Sequence, residues 1–129
     1  ESLMMLKTIS TENAPAAIGP YSQAVAAGKL LFASGQIPIV PETGALAQGG
    51  VTAQAGQALK NVGEILKSAG ACYGDVVKTT CFLADMGDFA AFNEVYAKYF
   101  PGKPARSCAA VKDLPKGALC EVEAVAVLK

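Results

Sequence analysis

Residues 120–128 read as a strand with apolar side chains on both faces. Period-two alternation puts Val122, Ala124, Ala126 and Leu128 on one side, and Glu121, Glu123, Val125 and Val127 on the other. The rest of the chain offers two amphipathic helical patterns. Two helices can cover only one face of a sheet of about six strands, so the face carrying Val125 and Val127 stays open. An uncovered apolar face of this kind marks an interface. The pattern therefore predicts a symmetric homo-oligomer whose sheets meet face to face. The competing reading is a monomer with a partly apolar open face.

The elements that would build such a sheet follow from local signals. Residues 7–10 form a short strand candidate, and residues 21–27 and 30–34 flank Gly28-Lys29, a hairpin signal. Residues 38–50 read as a loop around a Pro41-Glu42-Thr43-Gly44 turn. Ala55, Ala58, Leu59, Val62, Ile65, Leu66 and Ala69 recur at helical spacing, with Thr52 as the expected cap and Gly70 as the stop. A β-branched run at 76–84 predicts a strand. Asp85 or Asp88 would cap a second helix bearing Phe89, Phe92, Val95, Tyr96 and Tyr99, which Pro101-Gly102 stops. Residues 105–111 and 120–128 are the last two strands. The order is ββ(β)αβαββ, a single α+β domain over residues 6–129. Residues 1–5 are expected to be either a non-native leader running into a native Met4 or Met5, or a disordered start.

Composition narrows the function. The chain is 52% hydrophobic and 17% charged, which predicts a folded core rather than disorder. Eleven basic residues balance eleven acidic ones, whereas a nucleic-acid binder usually carries a basic excess. No apolar run is long enough to span a bilayer. No secretory signal is visible, so a cytoplasmic location is expected, with organellar import left open. Histidine is absent, which removes His-based triads and HExxH zinc sites. Cys72, Cys81, Cys108 and Cys120 form no CxxC pair, so neither a zinc site nor a disulfide framework is expected.

One cation and one carboxylate stand out. Arg106 lies in Pro104-Ala105-Arg106-Ser107-Cys108, and Glu121 opens the final strand beyond the Leu114-Pro115-Lys116-Gly117 turn. An arginine offers a planar fork of donors that suits a carboxylate. A carboxylate facing it can hold or activate a water. If the two share a pocket, hydrolysis of a small carboxylic acid is the chemistry they suit. Cys108, two residues beyond Arg106, points to the same strand face. With no histidine to deprotonate it, the thiol is not expected to be a nucleophile.

Several blocks in order carry a family resemblance. Residues 9–24, running Ile9-Ser10-Thr11-Glu12-Asn13-Ala14-Pro15 to Gly19-Pro20-Tyr21-Ser22-Gln23-Ala24, resemble the N-terminal signature of the Rid/YjgF family. Phe32-Ala33-Ser34-Gly35-Gln36-Ile37-Pro38 resembles its second block. Asn61-Val62, Val77-Lys78-Thr79-Thr80 and Asp88-Phe89 resemble its middle. Pro104-Ala105-Arg106-Ser107 and Glu121-Val122-Glu123-Ala124 resemble its C-terminal block, and the detail resembles the RidA-type enamine/imine deaminases.

That resemblance implies a chorismate-mutase-like α+β fold: a mixed sheet with two helices on one face, the sheets facing the centre of a homotrimer with three intersubunit clefts. It implies hydrolysis of 2-aminoacrylate/2-iminopropanoate and 2-iminobutanoate to 2-oxo acids and ammonium, with no metal or cofactor. Arg106 would clamp the substrate carboxylate and Glu121 would orient or activate water. Tyr21 would line the cleft from a neighbouring subunit. Ser34, Gly35, Cys108 (through its main chain), Phe89 and Asn93 would lie close to the ligand. Alternatives are a 2-oxo-acid-binding or chaperone-like oligomer without turnover, and a ribonuclease or translation inhibitor. Zero net charge and the absence of histidine weigh against the last.

Overall fold

The structure is a computed structural model that describes residues 5–129. The expected leader lies, Met5 excepted, outside the described residues. Strands β1 (Leu6–Ile9), β2 (Ala24–Ala27) and β3 (Leu30–Gln36) come first, followed by helix α1 (Val51–Ser68). Strand β4 (Val76–Leu83), helix α2 (Phe89–Tyr99) and strands β5 (Ala105–Ala110) and β6 (Cys120–Val127) complete the chain. The strands form one six-stranded sheet in the order β1-β2-β3-β6-β4-β5, parallel only between β4 and β5. The Leu114–Gly117 turn therefore does not join neighbours, because β4 is inserted between β5 and β6. No helix among the described residues is long and apolar enough to cross a membrane.

Local chemistry explains most boundaries. Gly28 has φ +60 and Lys29 does not share the positive φ, the pattern of a type II′ hairpin turn. Strand β2 begins at Ala24 rather than at residue 21, because the buried Gln23 side chain turns back to the preceding loop. Its Nε2 donates to the carbonyls of Thr11 and Pro15, and its Oε1 accepts from the Thr11 amide. Helix α1 ends in a Schellman motif: Gly70, at φ +81, donates to the Lys67 carbonyl and Ala71 donates to Leu66.

The expected Thr52 cap is not made. The helix starts two residues earlier, with extended Gly50 at the N-cap and no side-chain cap bond, which leaves Thr52 exposed inside the first turn. At the second helix, Asp85 is the acceptor. Its Oδ1 takes the Gly87 amide at 2.7 Å and starts a 3-10 turn that runs into α2, while Asp88 makes no cap bond.

Both helices lie on the same sheet face. Ala55, Ala58, Leu59, Val62, Ile65 and Leu66 of α1 are fully buried in one cluster with Leu31 and Ala33 of β3 and Val122, Ala124 and Ala126 of β6. Each buried Leu, Ile or Val contributes about 1.5–3 kcal/mol. Helix α2 adds Phe92, Val95 and Tyr96. The opposite face stays open: Leu30, Phe32 and Val127 are 41%, 47% and 40% exposed. Leu30 pairs with Val127 and Phe32 with Val125, so these side chains form one apolar patch across β3 and β6.

Tyr73 docks onto α1 through a glycine. Its hydroxyl donates to the Leu59 carbonyl at 2.6 Å, and burial pushes the phenol up to about 12. A Cβ on Gly63 would overlap the Tyr73 hydroxyl and lie 2.6 Å from its Cζ. At an open helical position, Gly→Ala stabilises by about 1 kcal/mol. Here Gly63→Ala is expected to destabilise the protein by about 1–3 kcal/mol in urea unfolding, the scale of overpacking. A stabilised variant would show that Tyr73 does not occupy this seat.

Candidate active site

The sequence-singled residues fall into two groups. The first sits where the edge strand β5 meets α2. Arg106 is half-buried and faces the helices, in ladder register with the fully buried Thr79 of β4. Its Nη1 donates to Asn93 Oδ1 at 2.7 Å. Its Cζ lies 4.8 Å from the centroid of the Tyr96 ring and 5.5 Å from that of Phe89, within cation–π range. The guanidinium borders a cleft of about 340 Å³ lined also by Asn93, Tyr96, Phe100 and Pro104.

Among the described residues the only ion pair is Lys129–Asp75, at 3.8 Å, so Arg106 has no carboxylate partner there. A half-buried cation held by an amide oxygen and two ring faces keeps most of its donors for an anion.

Cys108 shares the Arg106 face and stands opposite Cys81 in the ladder. Burial raises the Cys108 thiol, an effect the Arg106 charge only partly offsets. Burial pushes Cys81 up to about 12. Both sulfurs are thiols at neutral pH, and a thiol is a poor nucleophile.

The second group lies on the open face. Glu121 alternates with the buried Cys120 and Val122, so its side chain leaves the sheet on the side away from the helices. The β3–β6 register shifts between Ala33 and Gln36, a bulge at Ser34-Gly35 that brings this backbone close to Glu121. A Cβ on Gly35 would overlap the Glu121 carboxylate, so the position requires glycine for the approach rather than for its φ.

Ser34 Oγ donates to the Ser22 carbonyl at 2.6 Å, and the Ser34 amide to the Gln23 carbonyl at 2.9 Å. These bonds fix the segment that presents Tyr21, which is 54% exposed. Tyr21 and Gly35 line one cleft of about 350 Å³ together with Ile18, Ile37 and Lys116. Burial raises the Glu121 carboxyl, helped by the nearby Glu123 charge.

Arg106 thus gathers Phe89, Asn93 and Cys108, and Glu121 gathers Gly35 beside Ser34 and Tyr21. Within one chain the two groups do not meet. Arg106 and Glu121 project from opposite faces, with β4 between their strands. Sequence reasoning missed the roles of Tyr96 and Thr79 at the arginine. The spacing of Phe89, Asn93 and Tyr96, at i, i+4 and i+7, was the signal that could have found the first.

A six-stranded sheet backed by two helices, with an arginine at its edge that has no carboxylate partner among the described residues, defines a small α+β protein. The chain belongs to the family described as Endoribonuclease L-PSP, whose model matches residues 11–128. It is 54% identical over 127 residues to the 2-iminobutanoate/2-iminopropanoate deaminase of Mus musculus, covering 98% of this chain and 94% of that one. The crystal structure of the YjgF gene product of E. coli superposes with a TM-score of 0.91 at 50% identity, covering 95% of this chain and 99% of that one. E. coli TdcF with bound serine gives a TM-score of 0.91 at 46% identity, with the same coverage of 95% and 99%.

The raised Glu121 carboxyl has a consequence for stability. A carboxyl whose pKa is higher folded than unfolded stabilises the fold below its unfolded pKa, and that contribution is lost as pH rises through the raised value. Glu121→Gln has no charge to desolvate. It should melt like the wild type at acid pH and above it at neutral pH. A variant that melts below the wild type at neutral pH would show that the ionised carboxylate is stabilised in the fold.

Proposed function

We propose that this chain hydrolyses 2-aminoacrylate/2-iminopropanoate and 2-iminobutanoate to 2-oxo acids and ammonium. The observation that carries the reading is the half-buried Arg106, oriented by Asn93 and two aromatic rings with no carboxylate partner among the described residues. The relative in Mus musculus bears the name of this activity, and serine, which carries a carboxylate, is bound to TdcF. The family's description points to ribonuclease chemistry instead. A net charge of zero and no histidine give this chain little with which to grip phosphates or cleave RNA.

In the proposed reaction the Arg106 fork holds the substrate carboxylate. The enamine tautomerises to its imine, whose carbon is the electrophile. Glu121 accepts a proton from water as the water oxygen bonds to that carbon, and passes it to the imine nitrogen, giving a carbinolamine. It then takes the hydroxyl proton of the carbinolamine and passes it to the amino nitrogen, so that the C–N bond breaks and ammonia leaves as the carbonyl forms. A carboxyl raised toward neutral pH suits both taking and returning that proton. The Cys108 thiol takes no part, and no metal or cofactor is required.

Since Arg106 and Glu121 leave opposite faces of one sheet, the complete site joins the Arg106 group of one copy to the Glu121, Gly35, Ser34 and Tyr21 group of a neighbour. The assembly proposed is a homotrimer with three such clefts, its subunits meeting through the apolar face of β3 and β6.

Two outcomes test this reading. Coupled to a serine/threonine dehydratase, the wild type should accelerate imine decay over the spontaneous rate, and Arg106→Ala should lose about 2–4 kcal/mol of transition-state binding. Arg106→Lys should also be poor, because a point charge does not reproduce the fork. Near-normal hydrolysis by Arg106→Ala would refute the clamp. In sedimentation, the wild type should run as a trimer at micromolar concentration and Phe32→Asp should dissociate it or unfold it. A stable wild-type monomer would contradict the shared cleft.

A further inference from the structure

A closed ring of contacts runs behind Arg106. Thr79 and Arg106 are ladder partners on adjacent strands, so their backbones are fixed relative to each other. The Thr79 hydroxyl lies 2.7 Å from the Tyr96 hydroxyl in a buried hydrogen bond. The Tyr96 ring in turn lies under the guanidinium, at 4.8 Å from Cζ. The chain of contacts closes on itself: from the Arg106 backbone across the ladder to Thr79, through the two hydroxyls to the ring, and from the ring back to the Arg106 head. Asn93, one helical turn before Tyr96, takes one Nη1 proton at 2.7 Å and fixes rotation in the guanidinium plane.

Energetics favour a tethered ring here. A threonine that is 0% exposed is an expensive place for a hydroxyl unless it is bonded, and Tyr96 OH is its close partner. Valine and phenylalanine would fill the same space with no polar atoms to satisfy. What the pair adds beyond packing is a fixed height and tilt of the ring. Burial also raises the Tyr96 phenol, so it stays a neutral partner for Thr79 near neutral pH. An arginine side chain has several rotatable bonds, and binding a carboxylate with both prongs requires them to be frozen.

We infer that Thr79 and Tyr96 are positioning residues for the proposed reaction: their hydroxyl–hydroxyl bond sets the ring that, with Asn93, holds the Arg106 fork ready for the substrate carboxylate. The inference rests on the clamp reading of Arg106. Thr79 is fully buried and Tyr96 turns its ring to the guanidinium, so each is assigned a role through the arginine. Because the carboxylate is gripped alike before and during the reaction, loosening the fork weakens binding rather than chemistry.

The test is the steady-state kinetics of imine hydrolysis by Tyr96→Phe and by the double variant Thr79→Val/Tyr96→Phe. The double variant removes both hydroxyls together and leaves only the weak donor of the Cys81 thiol without its 4.0 Å acceptor, so its thermal midpoint should stay near that of the wild type. KM is expected to rise about five- to tenfold in each, with kcat within about twofold of wild type, the scale of losing one group's preorganisation. Tyr96→Leu, which removes the ring as well, should raise KM further, and Tyr96→Phe recovers part of that loss. A merely structural pair would lower the folded fraction and leave KM unchanged. Wild-type KM in folded Tyr96→Phe overturns the inference, and this single variant decides the matter if the double variant does not fold. Arg106→Ala, assayed alongside, separates the two levels. If it keeps wild-type KM, the clamp itself is wrong. If it fails while Tyr96→Phe and the double variant keep wild-type KM, only the positioning role falls.

Discussion

The rest of the structure depends on α1 lying across β3 and β6. Its fully buried Ala55, Ala58, Leu59, Val62, Ile65 and Leu66 meet Leu31, Ala33, Val122, Ala124 and Ala126. Small residues on the strands let the helix come close, and larger ones on the helix fill the groove. This packing fixes which side of β6 faces inward. It also determines by alternation that Glu121 leaves the sheet on the other side, beside Val125 and Val127. A slip of one residue would bury Glu121 and Glu123 under the helix and expose the alanines, a cost no local contact offsets.

That constraint divides the chemistry between two faces. On the helix face, α2 covers the edge strand and supplies Asn93, Tyr96 and Phe89 to Arg106. On the open face, a bulge in β3 lets Glu121 settle over Gly35. In the proposed reaction each half would supply one of the groups that hydrolysis of an imino acid needs, a grip on the carboxylate and a base for water. The uncovered apolar patch of Leu30, Phe32 and Val127 lies on the same face as Glu121. In the proposed assembly one packing event would therefore bury the patch and complete the site.

Much of this was legible in the sequence, for physical reasons that differ by element. The apolar periodicity of α1 and the alternation of β6 are regular patterns, and the structure buries six of the seven expected helix positions, the seventh, Ala69, being the C-cap. Gly70 and Gly28 carry backbone demands that only glycine meets cheaply, so their turns were readable. The start of α1 was misplaced because its cap is Gly50, which has no side chain to announce it. The insertion of β4 between β5 and β6 left no local trace, since strand pairing depends on partners distant in the chain. Tyr96 looked like ordinary helix core, and it is buried as core. Its second face, toward Arg106, shows only when α2 is laid against the edge strand.

The central claim is that Arg106 of one copy works with Glu121 of another. Co-expression of Arg106→Ala and Glu121→Gln chains, followed by assay of the mixed oligomers, tests it most directly. Each variant alone should be nearly inactive. Random mixing at equal amounts should restore about a quarter of wild-type imine hydrolysis, the share of clefts that pair an intact arginine from one chain with an intact glutamate from its neighbour. Mixed oligomers as inactive as their parents would show that both groups act from the same chain, and would contradict the account.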